Sequence, residues 1–168
     1  MKLTVYENTA ALQKAFAALD FLRRHEVRVG LPSSTGMRNR MILAIQEHGS
    51  PIHRIPARPV IRPALQAEET RAAMAKAMKA GTEAALRGDL PAARASLEAA
   101  GRAGADGIRA YIDSHIPPPN SPATVRGGWI WNRAANKPVL VPGKGFDKPL
   151  YDTGELYRAF SYEIRERE

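Results

Sequence analysis

The sequence contains no cysteine among its 168 residues. Without cysteine, the chain cannot form disulfides, a thiolate nucleophile or a thiolate metal site. No apolar run is long enough to span a bilayer, and the opening residues, MKLTVYE, carry no signal-peptide pattern. We therefore expect a soluble protein that does not contact a membrane.

The sequence also lacks the motifs of common enzyme and metal sites. Its four histidines show no spacing typical of metal ligands. The segment from Gly143 to Phe146, GKGF, lacks the spacing of a phosphate-binding loop, and no serine lies in a Gly-x-Ser-x-Gly elbow. These absences predict a protein that is not an enzyme and that binds no metal and no cofactor.

Positive charge is in excess, with 25 Lys and Arg against 17 Asp and Glu and a formal net charge of +8. This balance favours anionic neighbours such as nucleic acid or acidic protein surfaces, but the basic residues are scattered along the chain. One hypothesis is therefore a basic nucleic-acid-binding protein. It would contact the phosphate backbone through arginines and stack bases on Trp129 and Trp131.

Hydrophobic periodicity predicts an α+β fold in a single domain, residues 1–168. A first helix starts at Asn8 or Thr9 and carries an apolar stripe that includes Leu12, Phe16 and Leu19. Alternating residues around Val27 to Leu31 predict a strand. A short helix follows, which Gly49 can end in a left-handed conformation.

A long alanine-rich helical hairpin is predicted over residues 64–116. Its first helix covers Ala64 to Leu86, and its second begins at Asp89, a capping residue followed by Pro91 in the first turn. Gly101 and Gly104 lie on the buried stripe of the second helix, which indicates that another backbone packs closely there.

The remaining pattern predicts strands. Trp129 to Trp131 and Val139 to Val141 read as a β-hairpin over residues 128–142, and alternation after Phe160 predicts a closing strand. The expected architecture is a small, mostly antiparallel sheet packed with helices.

The segment from Ser50 to Pro63, SPIHRIPARPVIRP, is rich in proline. Each proline fixes its own backbone and pushes the preceding residue toward extended geometry. The segment is therefore predicted to be a rigid extended connector or an edge strand, and not a regular helix.

Asp152, Thr153 and Gly154 form the tripeptide that carries the catalytic carboxylate of aspartic proteases. Such an enzyme needs two carboxylates that share a proton, and this chain has one tripeptide with little sequence after it. The spacing of Asp152 and Glu155 instead matches a capping box that starts a short helical turn.

Three segments, taken in order, resemble tailed-phage neck and tail-completion proteins, with the HK97 gp10-like (virion morphogenesis) group as the nearest. They are AIQEHGSPIHRIPARPVIRPAL, IPPPNSPATVRGG and KPLYDTGELYRAFSYEI. The matching residues are Glu47, Gly49, Ile55, Pro56, Ala57, Arg58, Pro59, Pro149, Leu150, Asp152, Thr153, Gly154 and Leu156. The chain departs from the pattern at His48, Ser50 and Val60.

The resemblance implies a structural virion protein of the head–tail joint, either a neck, a tail-completion or a tail-terminator protein. It implies a homo-oligomeric ring, a hexamer or a dodecamer, that contacts other phage neck and tail proteins. Its place is the virion after assembly in the host cytoplasm, and genomic DNA passing through the ring would be a non-specific contact.

Arg58 admits two interpretations, because a guanidinium can bind carboxylates or backbone carbonyls in a fixed fork. It can contact a neighbouring protein in the assembly, or it can hold the proline-rich segment to its own domain.

Overall fold

The computed structural model describes residues 9–114, 116–132 and 134–167. Seven helices in these ranges are α1 (Thr9–Arg24), α2 (Met37–His48), α3 (Ile61–Gln66), α4 (Glu68–Leu86), α5 (Leu90–Asp113), α6 (Pro122–Arg126) and α7 (Glu155–Ala159). Four strands are β1 (His25–Gly30), β2 (Gly127–Asn132), β3 (Lys137–Pro142) and β4 (Ser161–Glu166). The α+β class is confirmed, and Asn8, the alternative start of the first helix, lies outside the described residues.

The strands form two separate two-stranded antiparallel sheets. β1 pairs with β4, so that Val29 lies opposite Tyr162, and β2 pairs with β3, so that Trp129 lies opposite Leu140. The β2–β3 hairpin and the closing strand agree with the sequence predictions.

Helix α5 is the centre of the molecule. Asp89 caps it by accepting a hydrogen bond from the backbone N–H of Ala92, with Pro91 in the first turn, as predicted. Its buried side packs with Val60, Phe160 and neighbouring apolar residues in the main core, which includes Ile108 and Ile112. A smaller alanine cluster joins α1, α4 and α5.

The two glycines on the buried stripe of α5 make room for strand side chains and not for a second backbone. A Cβ atom on Gly101 would collide with the ring of Tyr162, and one on Gly104 would lie 2.9 Å from Val29 Cγ2. The glycines therefore let the β1–β4 sheet lie directly on α5. The predicted close approach exists, but the approaching group is different.

Three helical details differ from the sequence predictions. The predicted helix from Ala64 to Leu86 is broken at Ala67, whose ψ of 135° is extended. The helix before the break starts at Ile61, so the last three residues of the proline-rich segment are helical, with Pro63 in the first turn, where proline is tolerated.

The third difference concerns α1. Its stripe of Leu12, Phe16 and Leu19 is exposed, and the helix packs on the rest of the molecule through Ala18, Phe21 and Leu22. The small alanine side chains of α4 and α5 allow this second face of α1 to pack closely against them.

No helix in the described ranges is both long enough and apolar enough to cross a membrane.

Candidate functional site

Glu47 joins the end of α2 to the start of α3. Its Oε1 accepts hydrogen bonds from the backbone N–H groups of Val60 and Ile61, both at 2.8 Å. The N-cap residue of α3, Val60, has no side-chain oxygen that could bind the free N–H groups of the first turn. Glu47 supplies that acceptor from a distant position in the sequence.

Gly49 ends α2 with a φ of +74°, as the sequence predicts. A Cβ atom here would lie 2.9 Å from both the Ala57 nitrogen and the Ile55 oxygen, so glycine is required for packing as well as for conformation. Ser50 and Ile55 then exchange two backbone hydrogen bonds of 2.8 and 2.9 Å. These contacts close residues 50–55 into a tight loop.

Arg58 is buried, with 5% of its surface exposed. Its Nε donates to the carbonyl of Pro118 at 2.7 Å, and its Nη2 donates to the carbonyl of Pro119 at 2.9 Å. Its backbone N–H donates to the Gln46 carbonyl at 2.6 Å. Burial lowers the pKa of Arg58, while the charge of Asp147 opposes that shift. Of the two interpretations, this geometry is that of the internal brace.

Pro56, Ala57 and Pro59 lie on the surface between these anchors and are exposed, whereas Ile55 is half-buried. Residues 56–60 lie outside any helix or strand, so the centre of the proline-rich segment is not helical, as predicted; residues 51–54 form a turn, and Ile61 to Pro63 are helical. Residues 51–54, at the tip of the 50–55 loop, are also exposed.

Asp152, Thr153 and Gly154 form the turn before α7, but the predicted capping box is wrong. Gly154 is the N-cap, with a φ of +78°, and no side chain caps the helix. Thr153 holds the turn by accepting, at its carbonyl, a hydrogen bond from Arg158 Nη2 at 3.0 Å. Asp152 is exposed and makes no hydrogen bond or ion pair with any described residue.

A small polar cluster anchors the turn to α5. Asp113 accepts from Lys148 Nζ at 2.5 Å and from the Tyr157 hydroxyl at 2.9 Å. The hydrogen bond to Asp113 raises the pKa of Lys148 and also that of Tyr157. Lys148 also lies over the Tyr151 ring, 4.6 Å from its centroid.

Lys144 holds the same turn from the other side. Its Nζ donates to the carbonyls of Lys148 and Tyr151 at 2.6 and 2.7 Å. Burial lowers the pKa of Lys144, and the carboxylates of Asp152 and Asp147 partly offset this shift. The lysine is therefore committed to internal contacts.

A cleft of about 570 Å³ lies between the β2–β3 hairpin and the body of the protein. Its lining combines one side of α2 (Arg38, Asn39, Ile42 and Gln46), the turn Leu150 to Leu156, and the hairpin residues Ile130 and Val141. All three tripeptide residues line this cleft, whereas Ile55 to Pro59 do not. The two groups of candidate residues are linked through Gln46, which lines the cleft and binds Arg58.

The hairpin itself, hereafter the arm, carries exposed aromatic side chains. Trp129 is 71% exposed and Trp131 is 60% exposed, and Leu140 beside them is exposed as well. Sequence patterning predicted the hairpin but not the exposure. A second signal was visible in the sequence: from Ser114 to Phe146 there is no acidic residue, whereas Arg126, Arg133, Lys137 and Lys144 are basic.

The described residues contain no group of three or more His, Asp or Glu side chains that is placed to hold a metal ion. The chain matches no protein-family profile, no curated protein and no solved structure.

Proposed function

We propose that this chain is a non-catalytic structural protein of the head–tail joint of a tailed phage, where it assembles into a ring. One observation carries the proposal. The residues that carry the family resemblance make internal contacts that fix the backbone, whereas the aromatic side chains of the arm stay exposed. Glu47, Gly49 and Arg58 fix the proline-rich segment through buried or short contacts. Gly154 fixes the turn before α7.

Rigid bracing is what a ring subunit requires. A surface that is already ordered loses little conformational entropy when it docks, so more of the contact energy appears as affinity. The exposed Trp129 and Trp131 are residue types that dominate the energy of protein interfaces. An apolar face of this kind on a soluble domain supports a role in assembly.

The excess of positive charge suits the same position in the particle. A ring at the joint surrounds the path of the genome, so basic residues facing its lumen would meet phosphate groups without any need for sequence recognition. On this proposal, the ring and neighbouring neck and tail proteins are the partners, and the virion is the final location.

The proposal is tested by the oligomeric state of the purified chain and by its position in particles. We expect native mass spectrometry and negative-stain electron microscopy to show closed rings of six or twelve copies, alone or after addition of heads or tails. Density for one off-axis copy in the particle would contradict the proposal. A stable two-fold dimer that is retained in particles would also contradict it.

A second candidate function is nucleic-acid binding, which the exposed tryptophans and the acid-free segment favour. It predicts tight binding of free oligonucleotides by the isolated monomer, with an affinity that falls steeply as salt rises. Filter binding across a salt series would separate this function from ring assembly, which needs no free nucleic acid.

A further inference from the structure

Hydrogen bonds fix the base of the arm to the body of the protein. The backbone N–H of Lys144 donates to the Thr124 carbonyl at 3.0 Å, and that of Gly145 donates to the Val125 carbonyl at 2.9 Å. Above these bonds, β2 and β3 are paired along their whole length, so the arm is a single ladder. A change in the direction of the arm must therefore take place where the ladder begins.

Three glycines lie where the ladder begins, Gly127 and Gly128 on one strand and Gly143 on the other. The strands touch there through backbone alone, since a Cβ atom on Gly127 would collide with the Gly143 nitrogen, and one on Gly143 with the Gly127 nitrogen. Gly128 has a φ of +149°, and the place of its missing Cβ is open space. Backbone that carries no side chains can change φ and ψ without repacking, which is the property of a hinge.

The cleft gives the arm room to move toward the body. Within the described ranges, β2 and β3 make extensive contact only with each other and with α6. Ile130 and Val141, on the inner side of the arm, line the cleft of about 570 Å³ together with Ile42 and Leu156 of the body. Ile130 is 47% exposed. Closure of the cleft would remove this apolar area from water, which favours the closed position.

Most polar groups in the lining would lose little when the cleft closes. Five of these side chains already make hydrogen bonds inside the protein: Gln46, Asn120, Ser121, Thr124 and Lys144. Arg38 and Glu155 form a surface ion pair of 4.0 Å, with 81% and 56% of their side chains exposed, and Asp152 is exposed as well. Exposed charged side chains can keep their polar ends in water while the apolar part of the lining closes.

We infer that the arm is a hinged lid. It turns about the three glycines and closes the cleft by placing Ile130 and Val141 against Ile42 and Leu156. Strand register puts the tryptophans on the opposite side of the arm, so closure leaves them exposed and changes only their direction. The lid does not depend on the proposed ring. Within such a ring, it would set the direction in which each subunit presents its tryptophans.

Disulfide trapping tests whether the arm reaches the body, and the chain has no cysteine of its own to interfere. Ile130→Cys combined with Ile42→Cys should oxidise to an intramolecular disulfide, because the closed arm brings the two Cα atoms within about 7 Å. Trp129→Cys combined with Ile42→Cys is the matched control and should stay reduced, since Trp129 lies on the other side of the arm. Non-reducing electrophoresis of dilute protein separates the intramolecular bond from a dimer.

Distances between two spin labels test whether the arm has two positions. Labels on Lys137→Cys, at the far end of the arm, and on Ala44→Cys, an exposed position of α2, should give two distances, the shorter one for the closed arm. The open arm needs a φ of +149° at Gly128, which alanine avoids, so Gly128→Ala should raise the ratio of closed to open arm about tenfold. Gly145→Ala is the matched control, because Gly145 also has a positive φ and open space but lies below the hinge.

Four outcomes would overturn the inference. Failure of Ile130→Cys with Ile42→Cys to form the disulfide, in a chain that folds by circular dichroism, would show that the arm does not reach the body. Equal trapping of the control pair would show that the arm unravels and does not close. A single distance that Gly128→Ala leaves unchanged would show a fixed arm, and an equal shift in Gly145→Ala would place the movement outside the hinge. Closed rings in particles would still support the proposed function in each case.

Discussion

Arg58 Nε donates a hydrogen bond of 2.7 Å to the carbonyl oxygen of Pro118, 60 residues later in the sequence. The same guanidinium reaches the Pro119 carbonyl through Nη2. Both acceptors lie in the loop between α5 and α6, so one side chain ties the proline-rich segment to the approach to the arm. A buried cation is stable only where it is hydrogen-bonded, and here main-chain carbonyls and Gln46 are its partners.

Replacement of Arg58 by alanine should destabilise the folded protein before any assembly step. The change removes charge-assisted hydrogen bonds and leaves two carbonyls without their donor, which should lower the free energy of unfolding by about 1.5–3 kcal/mol. Chemical denaturation followed by circular dichroism measures this. Arg62→Ala is the control, because Arg62 is exposed and makes no hydrogen bond or ion pair within the described ranges. If Arg58→Ala has an unchanged unfolding midpoint but fails to join heads and tails, then Arg58 contacts a neighbouring protein and is not an internal brace.

The sequence predicted those helix ends that are determined by residues at the end itself. Asp89 and Pro91 mark the start of α5 because a cap and a first-turn proline act on the adjacent backbone. Gly49 marks the end of α2 for the same reason. The break at Ala67 was not predictable, since Gln, Ala and Glu around it all favour helix. Tertiary contacts can override such a local preference, and Ala64, in the helix before the break, is fully buried in the main core.

The site was predictable as a set of residues but not as a set of contacts. Arg58 was identified by its motif, but its partners are main-chain carbonyls, which leave no signature in the sequence. Asp152 was assigned to a cap by spacing alone. The positive φ of Gly154 moves the start of α7 beyond the reach of that carboxylate, and this depends on a backbone conformation that spacing does not reveal.

Gly49→Ala should be more costly than the same substitution at another glycine with similar φ. Gly49 and Gly145 have φ values of +74° and +78°, but only Gly49 has backbone atoms within 3 Å of the added Cβ, whereas Gly145 has none within 4 Å. Gly145→Ala should therefore show the left-handed penalty alone, about 1–2 kcal/mol. Gly49→Ala should exceed it because the 50–55 loop must also move. Equal unfolding free energies for the two variants would show that the loop yields without cost.

Stability should fall in acid partly through Glu163. Hydrogen bonds from the Ser33 hydroxyl and backbone N–H, at 2.7 and 2.5 Å, hold the pKa of Glu163 below its ordinary value of 4.5. A folded-state pKa below the unfolded value means that the native protein binds fewer protons, so this contribution is present above pH 4.5 and is lost as the pH falls through the folded-state pKa. Hydrogen bonds from Arg167 and Arg28 also lower the pKa of Glu26, so Glu26 makes a second contribution to stability that is lost in acid.

In Glu163→Gln the free energy of unfolding should therefore fall less steeply with pH below 4.5 than in the wild type. Some pH dependence should remain, because Glu26 still titrates. Unfolding midpoints in denaturant, measured from neutral pH downward, give the slope for each protein. Glu83→Gln serves as the control, because Glu83 lies at an exposed position of α4 and its side chain makes no hydrogen bond or ion pair within the described ranges. If both variants keep the slope of the wild type, the link between the loop at Ser33 and β4 contributes nothing to acid sensitivity.

Substitutions at Asp152 and Gly154 should show whether the tripeptide stabilises the protein through the Asp152 side chain or through the backbone turn at Gly154. Asp152→Ala removes no cap and no hydrogen bond to a described residue, so the free energy of unfolding should change by less than about 0.5 kcal/mol. Gly154→Ala forces a left-handed alanine whose Cβ would lie 2.7 Å from Arg158 Nη1, so it should cost at least about 1 kcal/mol.

Denaturation of both variants measures the stability effects, and a peptide-cleavage assay of the wild type and Asp152→Asn tests for catalysis. A marked loss of stability in Asp152→Ala would restore the capping box. Cleavage by the wild type that disappears in Asp152→Asn would establish a protease, and the structural proposal would then be wrong.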